Sequence, residues 1–213
     1  MRVSSLIKVT EKKQKVVLED GRSFVLYLGE IRKYQIREGE ELPEERFHQI
    51  REEVLSKRAK LRSLNLLKNR DYSVEKLKER LARDGYPPDV ITEAAAYVTS
   101  FHYLDDARLA ETYIRQNIGR KSRRQIEYDL RKRGVSEEDI RKGLETYEAE
   151  MEGSGEDLSE LPAILRLIEK RHYDPEEATN EETQKLMAAL MRKGFGLGEI
   201  KKALKELRDG ISE

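Results

Sequence analysis

Leu81-Ala82-Arg83-Asp84-Gly85-Tyr86, Leu130-Arg131-Lys132-Arg133-Gly134-Val135 and Leu190-Met191-Arg192-Lys193-Gly194-Phe195 are three versions of one signature, each with an isoleucine six residues past its glycine (Ile91, Ile140, Ile200). The likeness extends outward. An apolar residue stands four before each leucine (Leu77, Ile126, Leu186), and apolar pairs follow at Ala95 and Val98, Leu144 and Tyr147, Leu204 and Leu207. Spacings of three, four and seven mark the stripe of an amphipathic helix. Glycine supplies the left-handed residue that ends one helix before the next begins. The glycines are 49 and 60 residues apart, too far for two short helices alone, so each unit also carries a leading helix. The fold expected is mainly α: three tandem three-helix repeats in an elongated curved array, each burying its stripe against itself and its neighbour.

Residues 1–42 read differently. Ser5–Thr10, Lys15–Glu19 and Arg22–Leu28 are short runs rich in valine, leucine and aromatics, and Asp20-Gly21 between the last two is a strong hairpin signal. A small antiparallel β element is expected, too small to be stable alone and so packed on the first helices or on a partner. The expected modules are this element at 1–42, repeat one at 43–101, repeat two at 102–150, and a linker with repeat three at 151–213. Within repeat one, Pro43 marks the start of one long helix reaching Asn69, Ser73 caps the second helix, and Pro87-Pro88 opens the third. In repeat two, Ser122 with Gln125 has capping-box spacing and Ser136 caps the last helix. Acidic, glycine-bearing Met151–Asp157 is the expected hinge.

Charged residues make up 39% of the 213 residues, against roughly 25% in an ordinary globular chain, so much of the charge is solvated. The total is balanced, with 42 basic and 42 acidic side chains, but the distribution is not. Arg115–Arg133 holds eight cations against Glu127 and Asp129, and Ser136–Glu160 holds ten carboxylates against Arg141 and Lys142. Placed at about 100° per residue, Ile126 and Leu130 point inward. Lys121, Arg124, Arg131 and Lys132 then form an outward cationic stripe with Tyr128 at its centre, flanked by Arg120 and Arg115. Read as unneutralised, these cations suit phosphate or an acidic protein groove, and tyrosine can stack on a base. The plainer alternative is a solvated helix face. A second basic cluster, Arg51–Arg70, is spread around its helix and reads as solvation.

Other chemistry is poorly represented. The chain has no cysteine, which removes disulfides and thiolate sites and fits a reducing compartment, here taken as the cytoplasm. His48, His102 and His172 fall in three separate units without ligand spacing, so no metal, cofactor or catalytic group is expected. Gly194-Phe195-Gly196-Leu197-Gly198 follows a helix, lacks a Walker lysine, and reads as a helix end. Asp105 and Asp106 read as helix-start residues. The apolar runs are too short for a membrane span.

Phe101-His102-Tyr103-Leu104-Asp105-Asp106-Ala107-Arg108-Leu109-Ala110-Glu111-Thr112-Tyr113, then Gly119-Arg120-Lys121-Ser122-Arg123-Arg124-Gln125-Ile126 and the basic turn before Gly134-Val135, closely resemble the RecX family of bacterial recombination regulators. Arg70-Asp71-Tyr72-Ser73 through Gly85-Tyr86, and Asp174-Pro175-Glu176-Glu177 through Gly194-Phe195, are similar to that family's flanking repeats. The resemblance spans about residues 40 to 208, and the acidic linker departs from it. It implies a non-enzymatic monomer that binds the RecA filament and contacts single- or double-stranded DNA weakly and without sequence preference. In that role it would limit RecA ATPase, strand exchange and coprotease activity in recombination, repair and the SOS response. The competing reading is a helical regulator that acts on DNA directly, without RecA.

Overall fold

The structure is a computed structural model that describes residues 1–152 and 159–209. It divides into two compact units, the first Met1–Asp105 and the second beginning at Asp106.

In the first unit, β1 (Val3–Thr10), β2 (Lys13–Leu18) and β3 (Ser23–Tyr27) form an antiparallel sheet in that order. Alternation sends Val16, Leu18, Phe24 and Leu26 to one face, where all are buried. The Asp20-Gly21 hairpin forms as expected: Gly21 has φ +86, and the Asp20 carboxylate accepts from the Arg22 amide at 3.0 Å. The first two strands begin two residues earlier than their sequence runs suggest, which places a second turn at Glu11-Lys12. β3 stops at Tyr27, because Leu28–Lys33 turns into a short helix, α1, that the sequence reading did not anticipate. The chain then returns to the sheet, where Leu42 donates to the Met1 carbonyl at 2.7 Å and Arg2 bridges to Glu41.

The stretch from Glu44 to Leu67 is helical throughout, but it is not one regular helix. It comprises α2 (Glu44–Gln49), a π-helical stretch Ile50–Ser56 and α3 (Lys57–Leu67), with Pro43 just ahead of α2. The wider π turn re-phases the apolar stripe so that Ile50, Leu55, Ser56 and Ala59 are all buried. Ser56 Oγ donates to Glu93 at 2.9 Å, which satisfies its hydroxyl. α4 (Val74–Arg83) starts at Ser73, whose Oγ accepts from the Lys76 amide, and α5 (Pro88–Ser100) starts behind Pro87. Sheet and repeat one share one core, which includes Phe24, Leu26, Ile50, Leu77, Leu81 and Val98. The β element therefore packs on the first helices.

In the second unit, α6 (Asp106–Asn117), α7 (Arg123–Lys132) and α8 (Glu137–Glu152) enclose Ala110, Ile114, Ile126, Leu130 and Ile140. α9 (Leu161–Glu169), α10 (Asn180–Arg192) and α11 (Leu197–Asp209) enclose a separate core with Ile164, Leu190, Phe195 and Ile200. Each of these three-helix units thus buries its stripe against itself, as the signature predicts, in a core of its own. Ser122 Oγ accepts from the Gln125 amide at 3.1 Å and caps α7, but the reciprocal half of the expected capping box does not form. Gln125 Nε2 donates instead to Asp129 Oδ1 at 2.8 Å. A complete capping box closes α10, between Thr179 and Glu182. Gly194, at φ +91, ends α10 as a left-handed residue, in keeping with the helix-end reading. The expected hinge at Met151–Asp157 lies outside the described residues, apart from Met151 and Glu152 at the end of α8.

Candidate functional site

The site is built on α7. Ile126 and Leu130, one turn apart, are fully buried and fix the rotation of the helix. Arg124, Tyr128 and Lys132, at i, i+4 and i+8, therefore lie on the far side, and all three are exposed, with Tyr128 at 58%. Among the described residues, Arg124, Lys132 and the neighbouring Arg120 make no ion pair.

The other expected members of the stripe are placed differently. Lys121 precedes the capping residue Ser122, so it is not on the helix, and its Nζ turns back to Asp129 Oδ2 and to the Tyr113 hydroxyl, 2.8 Å from each. The Tyr113 hydroxyl donates to Asp129 at 2.8 Å, and the Arg133 guanidinium lies 4.4 Å from the Tyr113 ring. This network shifts both ionising partners. The hydrogen bond to Asp129 holds the Lys121 ammonium above its ordinary pKa. Burial acts to raise the Asp129 carboxyl, but hydrogen bonds from Lys121, Tyr113 and Gln125 outweigh it and hold the group low.

Arg131 is exposed but paired with Glu137 and with Glu127, the latter at 3.1 Å, and the Glu137 bond is the main cause that raises its pKa. Arg115 pairs with Glu111 at 2.9 Å and with Glu150. Arg123 pairs with Glu148, and its amide donates to Glu160 at 2.6 Å. The expectation that the basic segment stays unneutralised is thus corrected for Arg115, Lys121 and Arg131. Carboxylates of the acidic segment fold back onto it, and the open cationic face reduces to Arg124, Tyr128, Lys132 and Arg120.

Ser122 has a role that sequence reading missed. Besides capping α7, its hydroxyl donates to the Lys193 carbonyl at 2.6 Å, tying the end of α10 to the start of α7. A Cβ built on Gly194 would lie 2.6 Å from that hydroxyl oxygen and 3.2 Å from Arg124 Cβ, so only glycine fits there without displacement. The turn of the third repeat thus abuts the root of the cationic face. Among the described residues no group of His, Cys, Asp or Glu is arranged to hold a metal ion, and no helix is long and apolar enough to cross a membrane.

Tandem three-helix repeats, the second carrying an exposed cationic and aromatic helix face, define a helical-repeat protein. Family comparison agrees along the chain: the first three-helix domain of RecX matches residues 59–98, the second 105–144 and the third 159–204. A regulatory protein RecX of Caldanaerobacter subterraneus subsp. tengcongensis is 30% identical over 171 residues, 79% of this chain and 80% of its own. One from Clostridium acetobutylicum is 24% identical over 214 residues, covering 97% and 98%. The chain belongs to the RecX family of regulatory proteins. Solved structures share the fold: a crystal structure of regulatory protein RecX superposes with TM-score 0.61 at 19% identity, covering 95% of this chain and 98% of its own. A RecX from Lactobacillus salivarius superposes with TM-score 0.60 at 19% identity, covering 72% and 97%.

Proposed function

We propose that this protein binds RecA filaments assembled on DNA and restrains their ATPase, strand-exchange and coprotease activities, without catalysis of its own. The observation that carries this reading is the outer face of α7, where Arg124 and Lys132 flank exposed Tyr128 without ion-pair partners among the described residues. A guanidinium fork and an ammonium with a ring between them match phosphates, or carboxylates lining a protein groove, and a ring that meets bases or apolar side chains. Membership of the RecX family of regulatory proteins supports a regulatory role, and RecA is the partner that the family resemblance implies.

RecA ATPase on single-stranded DNA, measured with and without the protein, tests the reading. The wild type should inhibit. Replacing Arg124, Tyr128 and Lys132 together by alanine should raise the concentration needed by about tenfold or more, since exposed arginine and tyrosine anchors commonly carry interface energy. Absence of inhibition by the wild type overturns the function, and undiminished inhibition by the variant overturns the site.

A further inference from the structure

We propose that the solvent face of the N-terminal sheet, continued by α3 and the turn after α4, is a second polyanion surface that takes single-stranded nucleic acid. Directly paired residues in an antiparallel sheet share a face. Ile7 pairs with Lys15 and Lys15 with Val25, while Thr10 pairs with Lys13 and Lys13 with Tyr27. All six therefore project from the side opposite the core residues Val16 and Phe24. Lys13 lies over the Tyr27 ring, 4.7 Å from its centre, and neither Lys13 nor Lys15 makes an ion pair among the described residues.

Helix α3 extends this face. Arg58 reaches the Val25 carbonyl at 3.0 Å and lies 5.1 Å from the centre of the Tyr27 ring, with Glu30 its only ion-pair partner among the described residues. The turn after α4 sits directly on the strand: the Val25 amide donates to the Gly85 carbonyl at 3.2 Å, and a Cβ on Gly85 would meet Val25 Cγ2 at 2.3 Å. That contact brings in Asp84, which Arg62 and Arg80 share at 2.8 and 3.3 Å. These groups amount to five cations (Lys13, Lys15, Arg58, Arg62, Arg80) against two carboxylates, Glu30 and Asp84. Arg58 and Arg62, spread around a helix in the sequence reading, are thus gathered by the sheet onto one side.

Charge excess alone fits any polyanion. The choice of a single strand comes from what lies between the cations: Ile7 is 52% exposed, Tyr27 is 39% exposed, and Val17 is half-buried on the same face. A sheet face with apolar and aromatic side chains between cations can lie against unstacked bases while the cations hold phosphates. A duplex hides its bases and would leave those apolar groups unused.

The surface does not depend on the α7 reading, because it is read on DNA alone. Binding of fluorescein-labelled oligothymidylate to the full chain, without RecA, is followed by anisotropy across a salt series. Lys13→Ala/Lys15→Ala should bind about tenfold more weakly and lower the log–log salt slope by roughly 1.4, two phosphate contacts' worth on a single strand, with an unchanged circular dichroism spectrum. Wild-type affinity and slope in that variant overturn the proposal. Equal affinity for the strand annealed to its complement overturns the single-strand assignment. Displacement of oligothymidylate by oligoglutamate of equal charge at equal concentration overturns it in favour of an acidic protein segment.

Discussion

The Ser122 hydroxyl bonds in two directions: it accepts from the Gln125 amide at 3.1 Å to cap α7 and donates to the Lys193 carbonyl at 2.6 Å to hold the end of α10. The serine is fully buried, so neither bond is replaced by water when the hydroxyl is removed. Ser122→Ala should cost about 2 kcal/mol, the loss of a cap plus a buried carbonyl left without its donor. Ser136 caps α8 at an exposed position, and Ser136→Ala should cost about 1 kcal/mol or less. Urea midpoints of the two variants check the order, and equal losses would deny Ser122 its second role.

Glycines at left-handed positions between helices carry two separate constraints, which substitution can tell apart. Gly119 has φ +73 with open space around it, so Gly119→Ala bears only the backbone strain, about 1 kcal/mol. Gly85 has φ +89, and a Cβ there would also press on Val25 Cγ2, so Gly85→Ala should lose about 3 kcal/mol from strain and overpacking together. Chemical denaturation of both variants measures the difference. A Gly85→Ala no worse than Gly119→Ala would mean that the turn after α4 can lift off the sheet.

Much of the fold was legible because the repeat writes its core at helical spacing. Leu81, Leu130 and Leu190 are each at most 1% exposed, and Ile91, Ile140 and Ile200 are buried as their register requires. Less visible was what depends on tertiary approach. α1 is six residues long with a glycine inside it, too short to show a period. The π stretch keeps helical composition and changes only the phase. At the candidate site, helical phase placed Arg124, Tyr128 and Lys132 on one exposed face. It could not foresee Arg115 meeting Glu150 or Arg123 meeting Glu148, pairs separated by 35 and 25 residues, and it gave Lys121 a place on the helical stripe although Lys121 precedes the cap at Ser122. Adjacent blocks of opposite charge were the available signal for those pairings.

Arg131 offers a test of how pairing mutes the α7 face. Its guanidinium is held by Glu127 and Glu137, so it is committed before any partner arrives. Arg131→Ala should therefore weaken filament inhibition less than Arg124→Ala. Glu137→Gln should release a cation, tighten binding to filaments or DNA a few-fold at low salt, and steepen the salt slope by about one ion. Inhibition measured at two salt concentrations checks both statements, and an Arg131→Ala loss equal to that of Arg124→Ala would show that the ion pairs open on binding.

The Lys121–Asp129 pair sets a pH window through the direction of its two shifts. The Asp129 carboxyl lies below its ordinary 3.8, so its contribution is complete above that value and is lost as pH falls through the lower folded-state pKa. The Lys121 ammonium lies above its ordinary 10.5, so its contribution is complete below that value and is lost as pH rises through the higher one. Between these limits the pair is independent of pH. Asp129→Asn should thus cost roughly 1–2 kcal/mol near neutral pH, from a partly exposed ion pair and weakened bonds to Tyr113 and Gln125. The same cost should hold in mildly alkaline buffer and shrink toward zero well below the ordinary carboxyl value, where the wild-type Asp129 is itself protonated. Urea titrations of both proteins at neutral and strongly acidic pH give the difference directly. A cost that persists undiminished in acid would assign the effect to packing around Tyr113 instead of to charge.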